Sequence, residues 1–204
     1  MGIAERKERE RLEMRERIIQ GALQMFLEEG YEKTSIRNIA EKIEYSPATI
    51  YLYYKDKDEL LYEVQKQCFD MLAEIFQKEA TAHDPFTRLE QICYTYIKFG
   101  RENAQLYDLM FIIKAPMNVV VEQKLWTNGH DAFGFLVHTL RQCIEQKQVR
   151  FKDPITAALQ VWAMGHGLIA LDIRCRIKVL EMTEEQVQCT IHDSIKEYLE
   201  LIKY

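Results

Sequence analysis

Residues 34–57, TSIRNIAEKIEYSPATIYLYYKDK, constrain this chain more than any other stretch, because two short helices must meet across a turn too brief to let them diverge. Ile36, Ile39, Ala40 and Ile43 follow one another at spacings of three, one and three, which places them on one helical face. Thr34 stands where it can cap that helix. After Glu44 and Tyr45, Ser46 is a good N-cap, and Pro47 suits the first helical position, where its missing N–H has no intrahelical partner to lose. A second helix therefore starts at once. Ile50 turns inward, while Pro47, Ala48, Thr49, Tyr51 and Tyr53 leave small and hydroxyl-bearing groups at its N-terminal end and on its outer face. A DNA major groove admits a helix end of that kind.

In such a pair, the second helix offers its N-terminal residues to base edges while the first crosses the phosphate backbone. Arg37 is the base-reading candidate, since its planar fork makes two hydrogen bonds to guanine. Thr34, Ser35, Tyr51, Tyr53, Lys55 and Lys57 are candidates for phosphate, contacts that fix register without carrying sequence information. Ala48 and Thr49 are sized to touch a thymine methyl. Each of these residues also has a plainer use: Thr34 and Ser46 would cap helices in any helical protein, and Tyr51 would serve as a half-buried aromatic.

The flanks narrow the choice. Upstream, Ile18, Ile19, Ala22, Leu23, Phe26 and Leu27 form a helical stripe that Gly30 stops, and downstream Asp56 with Glu59 makes a capping arrangement for a long helix. Over residues 18–61 the chain resembles the N-terminal domain of the tetracycline-repressor (TetR) family of bacterial transcription regulators. The resemblance rests on the Phe26 to Gly30 spacing, the T-S-I-R-x-I-A run of residues 34–40, the S-x-x-T-I-Y-x-Y run of residues 46–53 and the K-D-E-L-L of residues 57–61. Members often carry phenylalanine where Tyr54 stands, a swap that keeps the aromatic body. The resemblance implies a three-helix DNA-binding domain, a homodimer, and a repressor that a ligand releases from double-stranded operator DNA.

The 204 residues, 48% of them apolar, suffice for one or two domains with a real core. The net charge of −5 is uneven: residues 1–58 hold 11 basic against 12 acidic side chains, and the rest 16 against 20. An acidic balance predicts modest non-specific affinity and marked salt dependence. Cys68, Cys93, Cys143, Cys175 and Cys189 stand at least 14 positions apart with no CxxC, so they read as buried thiols in a reducing compartment. Without a signal peptide or an evident run of 18 apolar residues, the expectation is a cytoplasmic protein with no membrane partner. The mixed-charge opening, residues 2–17, reads as a solvated extension of the first helix.

Beyond residue 61 the pattern stays helical, which makes the fold class all-α: a helix-turn-helix domain over 1–58 and a larger effector-binding and dimerisation domain over 59–204. Helices are expected over 57–82, over 85–101 behind Asp84 and Pro85, over 103–113 behind Asn103, and over 119–148 with a bend near Asn128 and Gly129. Asp153 and Pro154 start another, to about residue 176, and Thr183 with Gln186 forms a capping box for the last. The helix from Pro154 is apolar around most of its circumference, so it must be buried on two sides. Pairing the last two helices with their copies would make a four-helix bundle, with Trp162, Gly165, Ile169, Val187, Ile191, Ile195 and Tyr198 at the dimer interface. Gly165 and Gly167 suggest close helix approach there. VWAMGHGL, residues 161–168, resembles the tryptophan-x-x-x-histidine-glycine pattern of one C-terminal subgroup of the same family.

A regulator needs an input, and Phe69, Tyr94, Phe99, Tyr107, Met110, Phe111, Trp126 and Phe133 are the candidates to line a pocket for a small, largely hydrophobic effector. Phe76 belongs to the same set of aromatics, and the plain alternative is that most of them are core. His166 reads as a packed histidine; His130 and His138 with Glu122 lack the spacing of a metal site, so no metal and no cofactor are expected. A constitutive architectural DNA-binding protein without an inducer would share the same head. An enzyme would need a nucleophile with its base, paired acids or a cofactor loop, none of which the chain displays.

Overall fold

The computed structural model describes residues 2–114, 116, 119 and 129–204. Among them the architecture is all-α, with one isolated antiparallel bridge between Val149 and Lys203. The chain separates into two compact units, Met1–Cys68 with Asp108–Asn128, and Phe69–Tyr107 with Gly129–Tyr204.

The first unit holds α1 (Ile3–Glu29), α2 (Ile36–Lys42), α3 (Pro47–Tyr51) and the start of α4 (Lys57–Glu79). Its core is the expected stripe: Ile18, Ala22, Phe26, Ile39, Ala40 and Ile50 are all buried, and Tyr54 fills the place expected of an aromatic. Gly21 lets α2 come close; a Cβ there would stand 2.3 Å from Ile43 Cγ2. Gly30 ends α1 at φ 83°, where its N–H bonds to Phe26 O, a backbone region that favours glycine. The cap of α2 differs from expectation. Ser35, not Thr34, caps it by accepting from Asn38 N, and Asn38 Oδ1 accepts in turn from Ser35 N. α3 starts as expected, with Ser46 Oγ accepting from Thr49 N and Pro47 in the first turn. At α4, Asp56 Oδ1 accepts from Glu59 N while Glu59 reaches back to Lys55 N at 2.6 Å. The unit also holds a π-helical turn, Asp108–Ile112, whose Leu109 carbonyl accepts from the buried Gln65 amide at 2.9 Å.

The second unit contains the rest of α4, α5 (Pro85–Glu102), α6 (Ala104–Tyr107), α7 (His130–Glu145), α8 (Pro154–Ile173) and α9 (Glu184–Ile202). Asp84, Asp153 and Thr183 cap α5, α8 and α9, accepting from Thr87 N, Thr156 N and Gln186 N. The Thr87 amide holds the Asp84 carboxyl below its ordinary value, and the bond from Gln148 Nε2 acts in the same direction. Three helices end earlier than expected. α4 stops at Glu79, α7 at Glu145 with Lys147 at φ 56°, and α8 at Ile173 with Cys175 at φ 56° before a short 3-10 turn, Arg176–Leu180. α7 starts at His130 behind Gly129 in the left-handed region; residues 120–128 of the expected 119–148 helix lie outside the described residues.

α5, α7 and α8 pack on one another, and α9 packs on α5. Gly100 is the close-approach point: a Cβ there would meet Ile169 Cγ2 at 2.7 Å. By length and composition α8 is apolar enough to cross a bilayer, in contrast to the reading that no such run exists, yet only 28% of its most apolar window is buried in the chain. Ile155 (61% exposed), Leu159 (55%) and Trp162 (36%) leave an uncovered stripe along it.

Candidate nucleic-acid interface

α2 and α3 meet through Ile39 and Ile50, which are fully buried, so their opposite faces are turned outward together. Ser35, Arg37, Ser46, Pro47, Ala48, Tyr51 and Lys55 are exposed there, and Thr49 and Tyr53 are half-buried. Arg37 makes no hydrogen bond or ion pair among the described residues, so its five donors remain available to an outside acceptor. Neither short helix carries an acidic residue in its first turn, which keeps the positive ends of their backbone dipoles unneutralised. Ser46 Oγ and Thr49 Oγ1 lie 3.0 Å apart, so the cap also fixes the threonine rotamer and points its methyl group.

Two expected phosphate ligands stand differently. Thr34 is buried, and its hydroxyl donates to Gly30 O at 2.8 Å beside its own amide, so it faces the chain rather than solvent. Lys57 Nζ donates to the carbonyls of Tyr31 (2.8 Å) and Thr34 (2.9 Å) and lies 4.1 Å above the Tyr31 ring. Its ammonium is engaged inside the protein. Sequence reasoning passed over Leu52, 82% exposed just after α3, and Tyr45, whose hydroxyl accepts from Arg17 at 3.0 Å. The signal for Leu52 was its position outside the inward stripe of Ile50 and Tyr54.

The effector candidates fall in both units. Phe69, Phe99 and Tyr107 are buried and Phe133 half-buried in the second unit, whereas Met110 and Phe111 belong to the π-turn of the first, and Trp126 lies outside the described residues, as does Glu122. Tyr94 stacks on His192 of α9 at 4.6 Å. What the second unit does build is a polar chain in apolar surroundings. Trp162 Nε1 donates to Tyr96 Oη (2.9 Å), Tyr96 and Tyr107 hydroxyls are 2.8 Å apart, and Tyr107 Oη is 2.6 Å from His166 Nδ1. Trp162 can only donate, so Tyr96 accepts at that end, while either tyrosine hydroxyl can donate to the other and the roles at His166 follow its tautomer. Burial pushes the Tyr96 phenol up to about 12, pushes Tyr107 up as well, and holds His166 below its ordinary value, all of which keep the groups neutral. Tyr96 was missed because one tyrosine on a helical face carries no signal of its partners.

The expected dimer face divides. Gly165, Ile169, Val187, Ile191 and Ile195 are buried within the chain itself, since α8 and α9 turn these residues toward their own core; Gly165 faces Tyr96, 3.3 Å from a would-be Cβ. Tyr198 is half-buried with an unpartnered hydroxyl. Trp162 alone of that set is exposed, beside Ile155 and Leu159, which sequence reading passed over. Among the described residues no cluster of three metal-ligating side chains occurs.

Comparison with known proteins bears on both halves. Residues 18–64 match the family profile described as bacterial regulatory proteins, tetR family, and residues 89–193 that described as tetracyclin repressor-like, C-terminal domain. The protein named Probable acrEF/envCD operon repressor, from Escherichia coli (strain K12), is 28% identical over 153 residues, covering 72% of this chain and 67% of that protein. The TetR family transcriptional regulator PfmR from Thermus thermophilus superposes with a TM-score of 0.56 at 25% identity, over 75% of this chain and 84% of that one. A Saccharomonospora viridis protein solved in complex with choline superposes at 0.66 with 18% identity, over 94% and 98%, and shares the fold.

Proposed function

This chain belongs to the tetracycline-repressor family of bacterial regulatory proteins and is a DNA-binding transcriptional repressor, and we propose that it works as a homodimer released from its operator by a small, largely apolar effector. The observation that carries the reading is the outward face of α2 and α3, where Arg37 stands unpaired among exposed hydroxyl and small side chains above a buried isoleucine seam. Arg37 reads a base. Ala48 and Thr49 meet a thymine methyl, and Ser35, Ser46, Tyr51, Tyr53 and Lys55 hold the backbone, with Pro47 shaping the helix end.

Dimerisation is carried by the uncovered α8 stripe, Ile155, Leu159 and Trp162, which a second copy covers isologously. For the effector, the Tyr96–Tyr107–His166 chain supplies the few polar anchors that an otherwise apolar site uses to orient its occupant. An effector shifts the protein only if it binds the DNA-free state more tightly.

The test is a thermal-shift screen of apolar and amphipathic small molecules followed by operator binding. A compound that raises the melting temperature and also weakens operator binding supports the sensor. If none of a broad library does both, the chain is the constitutive architectural binder instead. The matched relatives are regulators.

A further inference from the structure

We propose that Lys57 serves operator binding as a positioning residue, a latch that fixes the α1–α2 loop to the first turn of α4, and that it does not neutralise a phosphate. The proposal rests on the DNA-binding reading above. Its observations are geometric. Lys57 Nζ donates to Tyr31 O and Thr34 O at 2.8 and 2.9 Å, and the Tyr31 ring lies under the ammonium at 4.1 Å. The Tyr31 hydroxyl donates to Asp58, the next residue along α4, so one aromatic side chain is held from both its ring and its hydroxyl. Burial and the Asp58 carboxylate keep that phenol protonated, well above its ordinary range. Tyr31 also packs edge-on against Phe26 of α1, at 5.3 Å.

The loop is pinned at its other side as well. Thr34 hydroxyl and amide both donate to Gly30 O, at 2.8 and 3.2 Å. Ser35, the N-cap of α2, follows Thr34 directly, and Arg37 stands two residues further on. Wherever the latch puts Thr34, the start of α2 and the base-reading guanidinium follow. A lysine suits this place because its compact ammonium addresses two carbonyls and a ring face at once, whereas a planar guanidinium matches two parallel acceptors. Pulling the ammonium out to a phosphate would forfeit both carbonyl bonds and the ring contact together.

Phosphate ligand and latch differ in their salt dependence, since each neutralised phosphate adds about 0.9 to the slope of log affinity against log salt. The experiment first selects an operator with the full-length wild type from random oligonucleotides. It then measures affinity from low to moderate salt for wild type, K57M and K57R. A latch predicts that K57M and K57R each weaken binding by about fivefold or more with slopes unchanged, since a guanidinium cannot address two carbonyls and the Tyr31 ring as the ammonium does. A slope flattened by about 0.9 in K57M, or wild-type affinity in K57R, overturns the proposal. Should K57M fail to fold by circular dichroism, K57R decides alone, because it keeps the charge that a phosphate contact needs. If the wild type selects no sequence at all, the DNA-binding reading fails before the latch is tested.

Discussion

Arg37 and His166 stand in opposite surroundings, one exposed and the other half-buried. Arg37 is exposed and unpaired among the described residues, so its replacement should leave the fold intact and be felt only on DNA. Arg37→Ala is expected to cost about 1 to 3 kcal/mol on the selected operator and to relax base preference at one position, read by affinity across a panel of single-base operator variants. Equal loss on every variant would make Arg37 a backbone contact. His166 is half-buried with Nδ1 2.6 Å from the Tyr107 hydroxyl, and burial holds its imidazole below the ordinary histidine value. The unfolded chain therefore binds the proton first as pH falls. The stability contributed by His166 is present above the ordinary value near 6.5 and is lost as pH drops below it, so urea midpoints should fall from about pH 7.5 to about pH 5. His166→Gln should shrink that fall; an equal fall in the variant would place the pH dependence elsewhere. At this scale the structure leaves Ser35, Arg37, Ser46, Pro47, Ala48, Tyr51 and Lys55 exposed, as a DNA-facing role requires, but turns Thr34 inward and sets Lys57 on two backbone carbonyls. Type and position mark a side chain as able to reach phosphate, whereas a neighbouring backbone carbonyl that competes for the same donor has no signature in the sequence.

Elements were legible where their signals are local. The Ser46–Pro47, Asp84–Pro85, Asp153–Pro154 and Thr183–Gln186 starts are all realised, because a cap is settled within four residues. What covers an apolar helix is settled by elements far away in the chain. α8 and α9 each show apolar residues suited to a partner, but α5 and α7 take part of the α8 surface and α9 packs on α5, while Gly100 on α5, unremarked in the sequence, creates the close approach to Ile169. Among the described residues Ile155, Leu159 and Trp162 of α8 stay exposed, and the proposed pairing uses them. Leu159→Glu should therefore spare the helical content of the chain and shift it from dimer to monomer in sedimentation. A central apolar interface residue is worth about 2 kcal/mol, roughly thirtyfold in the dimer constant, and the charge adds to that. A variant that stays dimeric at the same concentration would move the interface off α8.

For the molecule as a whole, the two family matches, residues 18–64 and 89–193, assign a reading half and a larger C-terminal half to one chain. The acidic net charge of −5 fits a protein whose operator affinity comes from a few placed contacts rather than from a basic field, and the salt slope of binding should be shallow because few cationic side chains neutralise phosphate. The proposed pairing of two identical heads has a physical reason, since one α3 of five residues reads too few bases to single out an operator. The decisive measurement is selection from random duplexes at low salt with the full-length protein, followed by the mass of the complex on the selected site. Paired heads predict an inverted repeat, its half-sites about one helical turn or a multiple apart, bound by two copies or a multiple of two. A single copy bound to an unrepeated site, or no enriched sequence, would contradict it.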